Sequence, residues 1–197
     1  MASLTKVPKI SKINASPIFQ LKISLIGSDP QIWRRILTPG TISVYDLHEV
    51  IQPVMGWQNC HLFNFEITGV RYGDPDSDPD INEKNAKHFK LSEVLDGVKN
   101  FKYVYDFGDD WQHEIIVEDK LKRDENIRYP VCIGGENACP PEDCHGIHGY
   151  IELLKILQKP KHKEYANTRA WVGGYFDPKT FDPNMINREF LWKNSKS

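Results

Sequence analysis

No stretch of this 197-residue chain comes near the roughly 20 consecutive apolar residues that a membrane-spanning helix requires. The first sixteen residues also lack the apolar run of a secretion signal and instead carry Lys6, Lys9 and Lys12. Both absences predict a cytoplasmic protein with no membrane partner. An excess of one charge is missing too: 25 Lys and Arg face 27 Asp and Glu, a formal net charge of -2. That balance removes the broad attraction to phosphate behind most non-specific nucleic-acid affinity. Cysteine is sparse, at four residues. In a reducing compartment these read as thiols or metal ligands rather than a disulfide framework, although Cys139 and Cys144 are near enough in sequence to oxidise in vitro.

The common catalytic signatures are absent as well. There is no glycine-rich loop ending in Lys-Ser/Thr, no dinucleotide fingerprint and no Gly-x-Ser-x-Gly elbow. His48-Glu49 and His113-Glu114 each lack the second histidine of a zinc-protease helix. Asp74, Asp76, Asp78 and Asp80 alternate as in a Ca²⁺ loop. However, Pro79 stands where the loop needs glycine and Asn85 where it needs a bidentate glutamate, so a solvated loop is expected.

What is present describes a folded domain. An apolar share of 40% with 11% aromatics is that of an ordinary globular chain, read as a polar arm over residues 1–17 followed by a single domain over 18–197. Phe19, Leu21, Ile23 and Leu25 alternate with polar residues, the period of a strand buried on one face. After the turn cluster at 27–30, residues 32–37 form the second arm of a hairpin. Ser43 and Asp46 make a capping box for a helix running to Met55, with Pro53 marking a kink or a last non-ideal turn. Residues 61–67 read as a strand with His61 facing the core, and residues 91–95 as a short helix. A second hairpin pairs Phe101, Tyr103 and Tyr105 with residues 112–121 and turns inward both Trp111 and His113. A helix follows from Gly146 to Pro160, and another starts at Asp182. The expected class is α+β, a largely antiparallel sheet built from hairpins and packed with helices, with a β-grasp-like start.

The strongest chemical constellation is Cys132-x6-Cys139-Pro-Pro-Glu-Asp-Cys144-His145-Gly-Ile-His148. Three thiolates and an imidazole match the tetrahedral donor set of Zn²⁺, with His148 as fourth ligand and His145 or His113 as alternatives. The spacing departs from Cys-x2-Cys, and the competing reading is a rigid loop of packed thiols. A second candidate is the turn carrying Asp106, Asp109 and Asp110 beside His113, where carboxylates and imidazole suit acid-base work or a divalent cation. Arg34 with Arg35, Lys120 to Arg123, and Lys161 to Lys163 are the candidate basic patches for nucleic acid.

Several strings together resemble a known family: Ile32-Trp33-Arg34-Arg35-Ile36, Leu47-His48-x3-Gln52, Gly56-Trp57, His61-Leu62-Phe63-x-Phe65, Tyr105-Asp106-Phe107-Gly108-Asp109-x-Trp111-x-His113 and Cys139-Pro140-Pro141-Glu142-Asp143-Cys144. They are similar to the proteins named after the third open reading frame of a root-inducing (Ri) plasmid, over roughly residues 18 to 192. The resemblance implies no established activity. Some members carry a transposon-resolvase (TnpR) label, but neither a serine-recombinase nor a tyrosine-recombinase constellation is present here. Where the family shows two glycines after the final cysteine, this chain has His145-Gly146. The expectation is a non-enzymatic interaction module for a macromolecular partner in a plasmid or mobile-element context. The alternatives are a zinc-dependent enzyme and a nucleic-acid-associated protein.

Overall fold

The computed structural model describes residues 16–74 and 82–194. The expected arm falls almost wholly, and the acidic stretch after Asp74 wholly, outside these residues.

The period-two patterns become strands as expected. β1 (Ile18–Leu25) pairs antiparallel with β2 (Trp33–Pro39), and β6 (Asn100–Tyr105) with β7 (Trp111–Leu121). Between the hairpins come α1 (Val44–Met55), β3 (Phe63–Ile67), β4 (Val70–Gly73), β5 (Lys84–Asn85) and the single-turn α2 (Leu91–Val94). After β7 follow β8 (Val131–Glu136), α3 (Gly146–Leu157), α4 (Tyr165–Trp171) and α5 (Pro183–Asn194). The eight strands form one sheet in the order β5-β4-β3-β6-β7-β1-β2-β8, antiparallel except for the short β4–β5 pair. The class is therefore α+β. The opening strand-strand-helix-strand order is present, with β7 and β6 lying between β1 and β3.

One sheet face is covered and the other open, as an antiparallel sheet permits. On the covered face Leu21, Ile23, Leu25, Phe65, Tyr103, Tyr105 and Ile115 are fully buried, along with Leu47 and Ile51 of α1. At about 25 cal/mol per Å² of apolar area, each such side chain contributes about 1.5–3 kcal/mol to folding. The capping box of α1 is complete: Asp46 N donates to Ser43 Oγ and Ser43 N to Asp46 Oδ2. The helix runs through Pro53 and stops at Gly56, whose φ of 78° suits glycine. At the head of α5, Asp182 Oδ1 accepts the Asn184 amide, the expected cap. No helix among the described residues is long and apolar enough to cross a membrane.

Three features differ from the sequence reading. Residues 131–136, taken as the start of a thiol loop, are edge strand β8, which their two glycines disguise. On its unpaired side the Asn187 amide of α5 donates to the Cys132 carbonyl at 2.9 Å and accepts the Cys132 N–H at 2.8 Å. The third strand begins at Phe63, so its alternation does not extend to His61, which is half-buried at the rim instead of facing the core. Finally, the Arg34–Arg35 patch is split by the pleat. Arg34 is buried with Ile36, while Arg35 lies on the open face in a two-bond pair with Glu118 at 2.6 and 2.8 Å. Lys120 and Arg123 likewise face Asp96 and Glu125 at 3.3 and 3.6 Å.

Candidate functional site

At one end of the covered face three loops meet: the segment after α1, the β6–β7 turn, and the loop from Pro140 to His145. They are stitched by hydrogen bonds. Trp57 Nε1 donates to the Pro140 carbonyl at 3.1 Å, and Asp106 N to the Leu62 carbonyl at 2.8 Å. The Tyr105 hydroxyl donates to Glu142 Oε1 at 2.7 Å and accepts the Cys60 amide at 3.0 Å. Burial, then the Glu142 carboxylate, push the Tyr105 phenol well above its ordinary value, so it remains a neutral donor. Glu142 Oε2 accepts the Gln58 amide at 3.1 Å.

Asn59, Asp106, Asp110, Asp143 and His145 all take positive φ here, between 53° and 66°. Asn and Asp tolerate that left-handed backbone best among residues with a side chain, which accounts for the recurrence of Asx residues in these loops. His145 and Gly146 follow one another in this left-handed region, at φ 66° and 67°. A Cβ on Gly146 would run into the Asp109 carbonyl oxygen, so only glycine lets α3 begin directly against the β6–β7 turn.

The stitched loops bring together three ligand-type side chains. His61 Nε2 lies 3.4 Å from Asp143 Oδ1 and 3.6 Å from Asp106 Oδ2, and neither contact is a hydrogen bond. Asp106 is 8% exposed, with its Oδ1 held by the Gly108 and Asp109 amides at 3.0 and 3.3 Å; this leaves Oδ2 aimed at His61. Asp143 is the open member, its side chain 73% exposed. Among the described residues this is the group that places three ligand atoms within 4.8 Å of one another.

The sequence candidates distribute differently. Asp106 joins the group, whereas Asp109 packs against Gly146, with its Oδ2 buried and lacking a hydrogen-bond partner. His113 is fully buried, as expected from its parity. Its Nδ1 donates to the Tyr103 carbonyl at 3.3 Å, and Nε2 has no partner. Cys132 faces the Gly134 carbonyl, Cys139 faces Arg34 and Met55, and Cys144 faces the Gly146 carbonyl. His145 and His148 stand exposed at the start of α3. The expected thiol-imidazole set is therefore not assembled among the described residues, because each thiol is turned to a different neighbour. Burial pushes the thiol of Cys139 up to about 11 and that of Cys144 up to about 12. Both are neutral packing groups at pH 7. A disulfide reagent added to the native protein is thus expected to modify exposed Cys60 at once, half-buried Cys139 more slowly, and Cys132 and Cys144 only upon unfolding. Rapid reaction of Cys132 or Cys144 would contradict this burial.

Two members of the site escaped the sequence reading. Asp143 sits inside a string noted for its cysteines, and its left-handed φ of 59° was the property that Asp could have signalled. Asn59 was not singled out, yet its Oδ1 lies 2.6 Å from His48 Nε2 and its Nδ2 donates to Glu49 at 2.7 Å. Because Nδ2 is the end facing a carboxylate, Oδ1 accepts from His48 Nε2–H. His48 Nδ1 then accepts from the Tyr103 hydroxyl at 2.8 Å. His48 and Glu49, rejected as a protease motif, thus anchor the loop that carries His61.

An uncharacterised protein, y4hQ of Sinorhizobium fredii, is 39% identical over 158 residues, covering 79% of this chain and 81% of its own. The crystal structure of a protein of unknown function, MM3350 from Methanosarcina mazei Go1, superposes with a TM-score of 0.78 at 40% identity, covering 86% of this chain and 97% of that one. The sequence profile of the plasmid pRiA4b ORF-3-like proteins matches residues 17–185, and the chain belongs to that family.

Proposed function

We propose that the protein works through a divalent cation held at the loop junction by His61 Nε2, Asp106 Oδ2 and Asp143 Oδ1. The supporting observation is their spacing. Ligands about 2.1 Å from a tetrahedral ion stand about 3.4 Å apart. The imidazole nitrogen lies 3.4 and 3.6 Å from the two carboxylate oxygens, within ion-pair range of both and hydrogen-bonded to neither. Among the described residues no Lys or Arg pairs with Asp106 or Asp143, so two negative charges converge with only a histidine between them. A mixed nitrogen and carboxylate set suits Zn²⁺ or Mn²⁺. Three protein ligands leave coordination positions on the exposed Asp143 side for water and substrate, the arrangement in which a metal activates water for hydrolysis or polarises a carbonyl.

Calorimetric titration of the full chain with Zn²⁺ tests this. One site per chain is expected, weakened more than tenfold by Asp106→Asn or Asp143→Asn. Both substitutions keep a side chain that tolerates positive φ. Cys139→Ser and Cys144→Ser are expected to leave the affinity unchanged. If the cysteine variants abolish binding and the aspartate variants do not, the cation belongs to the thiols and this reading fails.

The interaction-module reading draws support from the helical side. α4 buries none of its residues, and Trp171, Tyr175 and Met185 are exposed at 52%, 80% and 62%. Large apolar side chains left exposed in this way are ones that a macromolecular partner would cover.

A further inference from the structure

Asp143 belongs to two places at once. One oxygen faces His61, and the same residue lines a cleft of about 310 Å³ between α3 and α4. At its end of the cleft Asp143 is joined by Cys144 and His145, and the remaining walls are Gly149, Glu152, Leu153, Ile156, Thr168 and Trp171. One end is thus the residue beside the proposed cation together with His145, and the rest is aliphatic and indole surface edged by the Glu152 carboxylate and the Thr168 hydroxyl. Gly149 is fixed as glycine by the Cys144 carbonyl, into which a Cβ would run. The volume is at the lower end of the roughly 300–1,000 Å³ of small-molecule sites, too small for a docked helix. Trp171 is half-exposed on α4, a helix that buries nothing of its own, as expected of a wall completed by a ligand.

Resting on the cation reading, we infer that this cleft is the specificity pocket of the site. It takes an aromatic ring or branched aliphatic group of a small substrate whose carbonyl or acidic oxygen reaches the cation past Asp143. Burial of the group against Leu153, Ile156 and Trp171 supplies affinity, and the oxygen donor fixes orientation.

The test compares two hydroxamates, one carrying a phenyl group and one a methyl group, on the Zn²⁺-loaded full chain. Benzohydroxamate is expected to bind at least tenfold more tightly than acetohydroxamate. Trp171→Ala and Ile156→Ser should each remove most of that advantage while leaving Zn²⁺ affinity and acetohydroxamate binding as they were. Equal binding of the two probes, or an advantage untouched by both substitutions, overturns the pocket. If Zn²⁺ fails to bind, the cation reading falls and the cleft is judged alone on the metal-free chain, using the emission difference between wild type and Trp171→Phe. Saturable quenching by benzohydroxamate that disappears in the variant then upholds the cleft, and its absence overturns it.

Discussion

Arg34→Lys is expected to destabilise the protein by about 3–5 kcal/mol, although it preserves the charge. Every N–H of the Arg34 guanidinium is used. Nε donates to the Val54 carbonyl at 3.1 Å, Nη1 to Trp33 and Glu136 at 2.7 and 2.8 Å, and Nη2 to Asn137 at 2.7 Å and Cys139 Sγ at 2.9 Å. The residue is 3% exposed, and its guanidinium lies 4.5 Å from the Phe181 ring centre. One side chain therefore ties the end of the β2–β8 pair to the last turn of α1 and to the cysteine loop. Lysine has three donors, so at least two of these five acceptors would be left buried and unpaired, at about 1–3 kcal/mol each. The measurement is urea unfolding, in which the midpoint should fall by about 1 M or more with an unchanged slope. A loss below about 1 kcal/mol would mean that water replaces the missing donors.

The second large effect is a pH dependence that belongs to one residue. Complete burial lowers the His113 imidazole from its ordinary 6.5 to about 4. The Tyr103 carbonyl, which accepts from Nδ1, opposes the shift only in part. The unfolded chain takes up this proton at about 6.5 and the folded chain resists it until about 4, so between these values the unfolded state binds more protons. Stability due to His113 is therefore complete above pH 6.5 and is lost as pH falls towards 4, by about 1.4 kcal/mol per unit and on the order of 3 kcal/mol in total. His113→Phe, close in shape and without a titrating group, should flatten the urea midpoint between pH 6.5 and 4.5 relative to wild type. Parallel curves for the two proteins would show that His113 takes up its proton in the folded state as readily as in the unfolded one. Glu118, held below the ordinary carboxylate range by its hydrogen bond to Arg35, adds a loss at lower pH that both proteins share.

Where a local rule governs an element, the sequence was readable. The alternation of β1 and β7, the Ser43–Asp46 box and the Asp182 cap each follow from a pattern a few residues long. The same rule, applied to β2, would have turned Arg34 inward with Ile36; adjacency to Arg35 hid this by suggesting a basic patch. For His61 the rule was stretched two residues past the strand's actual start, where parity carries no information. The meeting of His61, Asp106 and Asp143 was beyond any spacing rule, since they come together only because loops separated by about forty positions are bonded together through Tyr105, Glu142 and Trp57. The cysteines were visible, but chemical type does not tell which way a thiol is turned.

The Asn187 amide beside Cys132 has a bearing on solubility. A terminal strand normally offers a row of free N–H and C=O groups on which another chain can add. Here a side chain from α5 occupies one such pair with the geometry a neighbouring strand would use. The sheet is thereby closed to edge-on growth at that position by a single amide, and Asn187→Ala reopens the place where self-association of the folded protein would begin.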